Sequence, residues 1–159
     1  MESKLILNML NISLFYKEIY HILGDDAKKL VMASPSKLVE YLANNRFQYI
    51  LNEIEGWDIF EVGDKSYSKD EVKEWIYSQI PDGSLLLITD EGIKDSICFN
   101  IKNKAAFDDF MTIYSYHYEM RFIQAADYLA YFPQQNRLNI IYHEGMLISF
   151  DLGRVVDRV

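Results

Sequence analysis

The sequence contains one cysteine, three prolines and seven scattered glycines among 159 residues. Cys98 has no second cysteine to pair with, so nothing in the chain requires an oxidising compartment. The glycines form neither G-x-G-x-x-G nor G-x-x-x-x-G-K-[ST], which leaves no sequence basis for a phosphate-binding loop. No run approaches the roughly 18 apolar residues of a membrane-spanning helix. The apolar start is interrupted by Asn8 and Asn11 with no cleavage site after it, so we expect a cytoplasmic protein without a signal peptide.

Groups that carry out acid–base or metal chemistry are also few. The chain has three histidines, His21, His117 and His143. None of them has another histidine at metal-binding spacing, and the sequence contains no H-E-x-x-H pattern. We therefore expect no metal, no cofactor and no catalytic residue. The alternative is a small enzyme whose site is assembled in space from His117 or His143, together with Cys98. Cys98 lies in a predicted strand, where a free cysteine is usually a small buried hydrophobe.

The residues that are abundant predict a folded core. Hydrophobic residues make up 50% of the chain and aromatic residues 14%, which excludes wholesale disorder. A chain of this length buries roughly 70% of its unfolded surface, so we expect one domain over residues 1–159. Nine aromatic residues lie between positions 107 and 132, with Arg121 as the only Lys or Arg among them. Their spacing indicates core packing, and the shortage of bases argues against a nucleic-acid platform.

The first third of the chain has mainly helical patterns. Apolar residues step by three or four from residue 5 to residue 23, which predicts a first helix. A second helix is predicted over residues 27 to 32. A third begins at Ser34-Pro35, where Ser suits the cap and Pro the first turn. Residues 47 to 54 fit a strand or a helix, and a strand-like segment follows over residues 57 to 62.

The second half alternates strands and helices. A buried strand at residues 85 to 88, a turn, and a strand at 97 to 101 predict one hairpin. Apolar residues at every second position on both sides of Glu144-Gly145 predict a second hairpin, from residue 138 to residue 150. Between them, helices are predicted over residues 107 to 118, capped by Asn103, and over 124 to 131. The order predicts an α+β fold: a single domain with an antiparallel or mixed sheet built from hairpins, helices packed on it, and a helical N-terminal third.

Charge is distributed unevenly along the chain. Twelve acidic residues and four lysines lie between positions 53 and 95, so this stretch carries the whole formal net charge of −8. Within it, Ser68 and Glu71 form a capping box that starts a helix. Asp70, Glu74 and Tyr77 are expected on one outward face of that helix. A negative field attracts basic partners and repels nucleic acid and anionic membranes.

These features favour a non-enzymatic, cytoplasmic protein that binds a basic protein partner through an acidic surface. The expected partner-binding residues are acids of this stretch and the aromatic residues among them: Glu53, Glu55, Trp57, Asp58, Glu61, Asp64, Tyr67, Asp70, Glu74, Tyr77, Asp90 and Glu91. Immunity and antitoxin proteins that inhibit toxin nucleases are of this class, because a nuclease site is basic to hold phosphates. We expect no direct contact with nucleic acid or membrane. A homo-oligomeric scaffold subunit is a further alternative.

Overall fold

The computed structural model of this chain describes residues 7–57, 67–123 and 127–155, and within them it has an α+β fold. The seven strands are β1 (Met9–Asn11), β2 (Phe47–Glu53), β3 (Leu85–Ile88), β4 (Ile97–Ile101), β5 (Tyr128–Phe132), β6 (Arg137–Tyr142) and β7 (Met146–Val155). The six helices of the described residues are α1 (Ser13–Leu23), α2 (Asp26–Ala33), α3 (Pro35–Asn44), α4 (Lys69–Ile76), α5 (Asp90–Asp95) and α6 (Ala106–Tyr118). All strands join one antiparallel sheet in the order β1-β4-β3-β5-β6-β7-β2. The predicted fold class is confirmed.

Helices cover both faces of the sheet, which explains the strongly apolar central strands. Along β3, Leu86 and Ile88 pack with α1, α2 and α3, whereas Leu85 and Leu87 pack with α4 and α6. Successive side chains of a strand point to opposite faces, so a strand buried on both faces is apolar at every position. The molecule is therefore three layers thick, with the N-terminal helices on one side and α4 and α6 on the other.

The first predicted helix is partly wrong, because the chain forms β1 before it enters α1. Met9 to Asn11 pair with β4 along the edge of the sheet. The Ile12 N–H donates to the Ser96 carbonyl at 3.0 Å, and the helix follows. The apolar spacing suits a helix, but an available sheet edge offers the backbone another set of partners. The other two helices are confirmed as α2 and α3, and the Ser34 hydroxyl caps α3.

The connection predicted as a turn between β3 and β4 is a short helix, α5. The Thr89 hydroxyl caps it by accepting a hydrogen bond from the Gly92 N–H at 3.0 Å. Gly92 fits this site because a Cβ there would lie 2.8 Å from the Ile97 carbonyl oxygen. The two strands are still antiparallel neighbours, as predicted, and Phe99 and Ile101 pack on the predicted common face.

The predicted helix over residues 124 to 131 is wrong, because Tyr128 to Phe132 form β5 between β3 and β6. Every side chain of β5 is buried, so its sequence has no polar face that distinguishes a strand from a helix. Residues 124–126 lie outside the described segments. The hairpin of β6 and β7 is confirmed, and its turn contains Gly145 with φ +84°.

Residues 47 to 53 adopt the strand alternative as β2, which pairs with β7 at the edge of the sheet. The following strand-like segment lies outside the described residues from position 58 onward. The capping box of α4 is confirmed: the Ser68 hydroxyl accepts from the Glu71 N–H, and the Glu71 carboxylate accepts from the Ser68 N–H, each at 3.1 Å. The long helix α6 is also confirmed, and the Asn103 side chain accepts from the Ala106 N–H at 2.9 Å.

Candidate functional site

One end of the sheet collects acidic side chains. Strands β1, β2, β3 and β6 finish there, and β4, β5 and β7 begin there. On the strand ends and connections at this end, the described acidic residues are Glu53, Glu55, Asp90, Glu91, Asp95, Glu119, Asp127 and Glu144. The described basic residues are Lys94 and Arg121. We call this surface the acidic end.

Hydrogen bonds around the β6–β7 turn bring three of its segments together. The carboxylate of Asp127 accepts from the His143 N–H at 2.6 Å and lies 3.1 Å from His143 Nδ1. The Trp57 indole N–H donates to the His143 carbonyl at 2.7 Å, and the Ile54 N–H donates to the Gly145 carbonyl at 2.6 Å. Glu53, Glu55, Asp127 and Glu144 therefore converge although they are distant in sequence.

Carboxylates are crowded at the centre of the acidic end. Burial raises the pKa of Asp90, and the negative charges of Asp127 and Glu91 raise it further. The hydroxyl of Tyr114 donates to Thr89 at 2.9 Å, and burial together with the nearby acids raises the pKa of Tyr114 to about 12. Burial is the main cause of both raised pKa values, and the nearby carboxylates add to it because like charges disfavour ionisation.

The helix α4 carries the remaining described acids of the candidate set on a separate surface. Asp70 and Glu74 are exposed, as predicted, but lysines lie beside them. Lys73 is 3.7 Å from Asp70 and 3.1 Å from Asp108, and Lys104 is 2.7 Å from Glu74. The field of this helix is therefore partly neutralised within the molecule. Asp58, Glu61 and Asp64 lie outside the described residues.

The prediction that Trp57 and Tyr77 are exposed aromatic anchors is wrong. Trp57 is 3% exposed and Tyr77 is 2% exposed. Tyr77 follows the last residue of α4, where the chain turns inward, and its hydroxyl donates to the Gly83 carbonyl at 2.9 Å. Trp57 packs against the β6–β7 turn, where a Cβ on Gly145 would lie 2.5 Å from it. Tyr67 is partly buried and stacks on Trp57 with ring centroids 6.1 Å apart.

Sequence reasoning missed Asp95, Glu119, Asp127 and Glu144 as members of this surface. Asp95 belongs to the acidic stretch of residues 53 to 95 but is not one of the expected partner-binding residues. The other three lie beyond residue 95, in a part of the chain that is neutral overall. Each is next to the end of a helix or strand. Only the strand order places those ends beside β2 and β3, so no local pattern identifies them.

The groups of the enzyme alternative lie apart from one another. Cys98 is buried beneath the N-terminal helices, burial raises its pKa, and its thiol donates to the Asn11 carbonyl at 3.8 Å. His143 pairs with Asp127 at the acidic end, and His117 packs edge-on against Tyr118 in α6. In residues 7–57, 67–123 and 127–155, no three His, Cys, Asp or Glu side chains converge as metal ligands.

No protein-family model, no curated protein and no solved structure matches this chain. Among the described helices, none is long and apolar enough to cross a membrane. The chemistry of the described surface is therefore the basis on which we infer a function.

Proposed function

We propose that this protein is a non-enzymatic inhibitor that binds a basic protein partner through the acidic end. The class is that of immunity or antitoxin proteins acting in the cytoplasm on a bacterial toxin such as a nuclease. A nuclease must present positive charge to hold nucleic-acid phosphates. A concentrated negative surface competes for that same site, and it also accelerates the encounter of the two proteins.

The observation that carries this proposal is that eight described acidic residues meet at the acidic end, where Lys94 and Arg121 are the described lysine and arginine. Ionised carboxylates held close together destabilise the isolated fold. A lysine or arginine from a partner removes that repulsion, so part of the electrostatic cost in the free protein is recovered on binding. A purely solubilising surface has no need to gather its charges in this way, because dispersed charges keep a protein soluble equally well.

An exposed aromatic side chain lies beside the acidic end. Tyr116, in the last turn of α6, is 78% exposed. With Ser115, His117 and Glu119 it lines an open depression of about 480 Å³. Tyrosine is enriched at protein interfaces because it offers a large rigid contact area with a polar tip. In our proposal Tyr116 takes the anchoring role that the buried Trp57 and Tyr77 do not fill.

The test compares two charge reversals that change the net charge equally. The first is Glu55→Lys with Glu144→Lys at the acidic end, and the matched control is Asp70→Lys with Glu74→Lys on α4. A partner is first recovered from native host lysate at low salt, eluted by salt and identified by mass spectrometry. Association rates of the purified pair are then measured by stopped flow, and inhibition is measured on the partner's own activity.

We expect the reversal at the acidic end to slow association about tenfold at low salt and the reversal on α4 to slow it about twofold. Added salt should reduce both effects, because it screens exposed charges. Equal slowing by the two reversals would show that only net charge matters, and it would remove the acidic end from the interface. Recovery of no basic partner from the lysate would contradict the proposal as a whole.

A further inference from the structure

Strand β2 forms an edge of the sheet, with no further strand beside it among the described residues. It pairs with β7 on one side, and all of its residues after Phe47 are exposed. Tyr49, Ile50 and Leu51 are 46%, 42% and 50% exposed, although they are large and apolar. Natural edge strands are usually protected by lysine, proline, a β-bulge or very short length. The seven residues of β2 contain neither lysine nor proline, and the pairing of β2 with β7 is irregular only between Phe47 and Gln48.

The backbone of β2 presents hydrogen-bonding groups outward at defined positions. The Ile54 N–H donates inward to the Gly145 carbonyl, at the end of a ladder that runs without interruption from Gln48 to Glu53. Backbone groups alternate in direction along an antiparallel strand. Tyr49, Leu51 and Glu53 therefore direct their N–H and C=O groups away from the sheet. These groups are available to a further strand.

We propose that β2 pairs antiparallel with β2 of a second copy of this chain, about a two-fold axis at Ile50. Ile50 is the middle residue of the strand, so this register pairs residues 48–52, which lie in the regular part of the ladder with β7, with the same residues of the other copy. It sets Tyr49 of each copy opposite Leu51 of the other, and both residues direct their backbone groups outward, as a hydrogen-bonded pair requires. On the other face of the sheet, the two Ile50 side chains meet at the axis.

The charges at the two ends of β2 support a second copy as the occupant. Arg46 and Glu53 are both exposed, and neither forms an ion pair with any described residue. They stand at opposite ends of a strand about 20 Å long, too far apart to pair within one copy. The antiparallel register brings Glu53 of each copy within one residue of Arg46 of the other, at both ends of the new ladder.

The distribution of the remaining charge is compatible with the same dimer. Residues 48 to 52 carry no charge, so no like charges meet across the axis even though the chain is acidic overall. Glu55 and Glu144 lie at the same end of the sheet as Glu53, whereas Arg154 lies near the opposite end of β7. The two-fold arrangement therefore places the acidic end of one copy toward the end of the other that carries Arg46 and Arg154. This dimer does not depend on the proposed inhibitory function.

Sedimentation velocity from low to high micromolar concentration tests the proposal. We expect the wild-type chain to dimerise reversibly. Ile50→Lys should raise the dimer dissociation constant at least about tenfold, because it sets two like charges face to face at the axis. Met32→Lys is the matched control, since Met32 is 53% exposed on α2, and it should leave the dissociation constant unchanged. Circular dichroism confirms that each variant is folded.

Exchanging the charges of Arg46 and Glu53 provides a second test. Residues that only stabilise the fold of one copy would not give the result expected for a dimer. Arg46→Glu or Glu53→Arg alone should raise the dissociation constant about fivefold, because like charges then meet at both ends of the ladder. The double variant should restore the wild-type value. A wild-type chain that is monomeric at every concentration would overturn the proposal, and so would a dimer insensitive to Ile50→Lys. Failure of the double variant to restore affinity would overturn the register.

Discussion

Asn139 is a buried polar residue in the middle of β6, and its replacement by alanine should strongly destabilise the protein. Its side chain is 2% exposed. The amide group donates to the Ile76 carbonyl at 2.9 Å and to the Ser78 carbonyl at 2.8 Å, which ties the end of α4 to the sheet. The side-chain oxygen Oδ1 of Asn139 accepts from the Ser149 hydroxyl at 2.6 Å. The side chain therefore makes three hydrogen bonds in a water-poor site.

The expected cost follows from those three bonds. Each contributes about 1 kcal/mol net, and a buried carbonyl left without a partner adds a desolvation penalty. We expect Asn139→Ala to reduce the free energy of unfolding by about 3 to 4 kcal/mol, against a total of about 5 to 15 kcal/mol for a domain of this kind. Ser149→Ala is the matched control. It removes one of the three bonds of Asn139 and also the bond that the Ser149 hydroxyl accepts from the Arg137 guanidinium at 2.8 Å, so it should cost about 2 kcal/mol.

Urea unfolding followed by tryptophan fluorescence measures both variants, because Trp57 and Trp75 pack in the layer that α4 helps to form. The slope of the free energy with urea concentration should stay at its wild-type value if the loss is confined to the native state. A loss of stability from Asn139→Ala no larger than that from Ser149→Ala would contradict the prediction. It would mean that the amide bonds to Ile76 and Ser78 contribute nothing to stability.

Two further predictions concern titratable groups. Burial and nearby acids raise the pKa of Asp90, so its ionised form destabilises the folded state at pH 7. This penalty is relieved as the pH falls through the raised pKa. Asp90→Asn should therefore increase the free energy of unfolding by about 0.5 to 1 kcal/mol at pH 7, and the gain should disappear near pH 4. An Asp90→Asn variant no more stable than wild type at pH 7 in urea unfolding would contradict this prediction. Cys98 should resist iodoacetamide in the native protein and react only on unfolding, because it is buried with a raised pKa. Rapid modification of the folded chain would revive the enzyme alternative.

Local patterns predicted the elements whose ends are determined by neighbouring residues. The capping box of Ser68 and Glu71, the cap at Ser34 and the turn at Gly145 were all identified, because each depends on a few adjacent residues. Local patterns failed at β5 and β1. A strand buried on both faces has the same apolar composition as a buried helix. A short edge strand forms only because β4 offers it backbone partners.

For the candidate surface too, some features can be predicted from the sequence and others only from the structure. Composition and periodicity are enough to predict the α+β class, the buried position of Cys98 and the excess of acid between residues 53 and 95. The three-dimensional packing is needed to show that Asp127 and Glu144 join Glu53 and Asp90, that Trp57 and Tyr77 are buried, and that β2 lies at an edge of the sheet. Strand order and packing between distant segments determine these features, and neither is encoded in any short stretch of the chain.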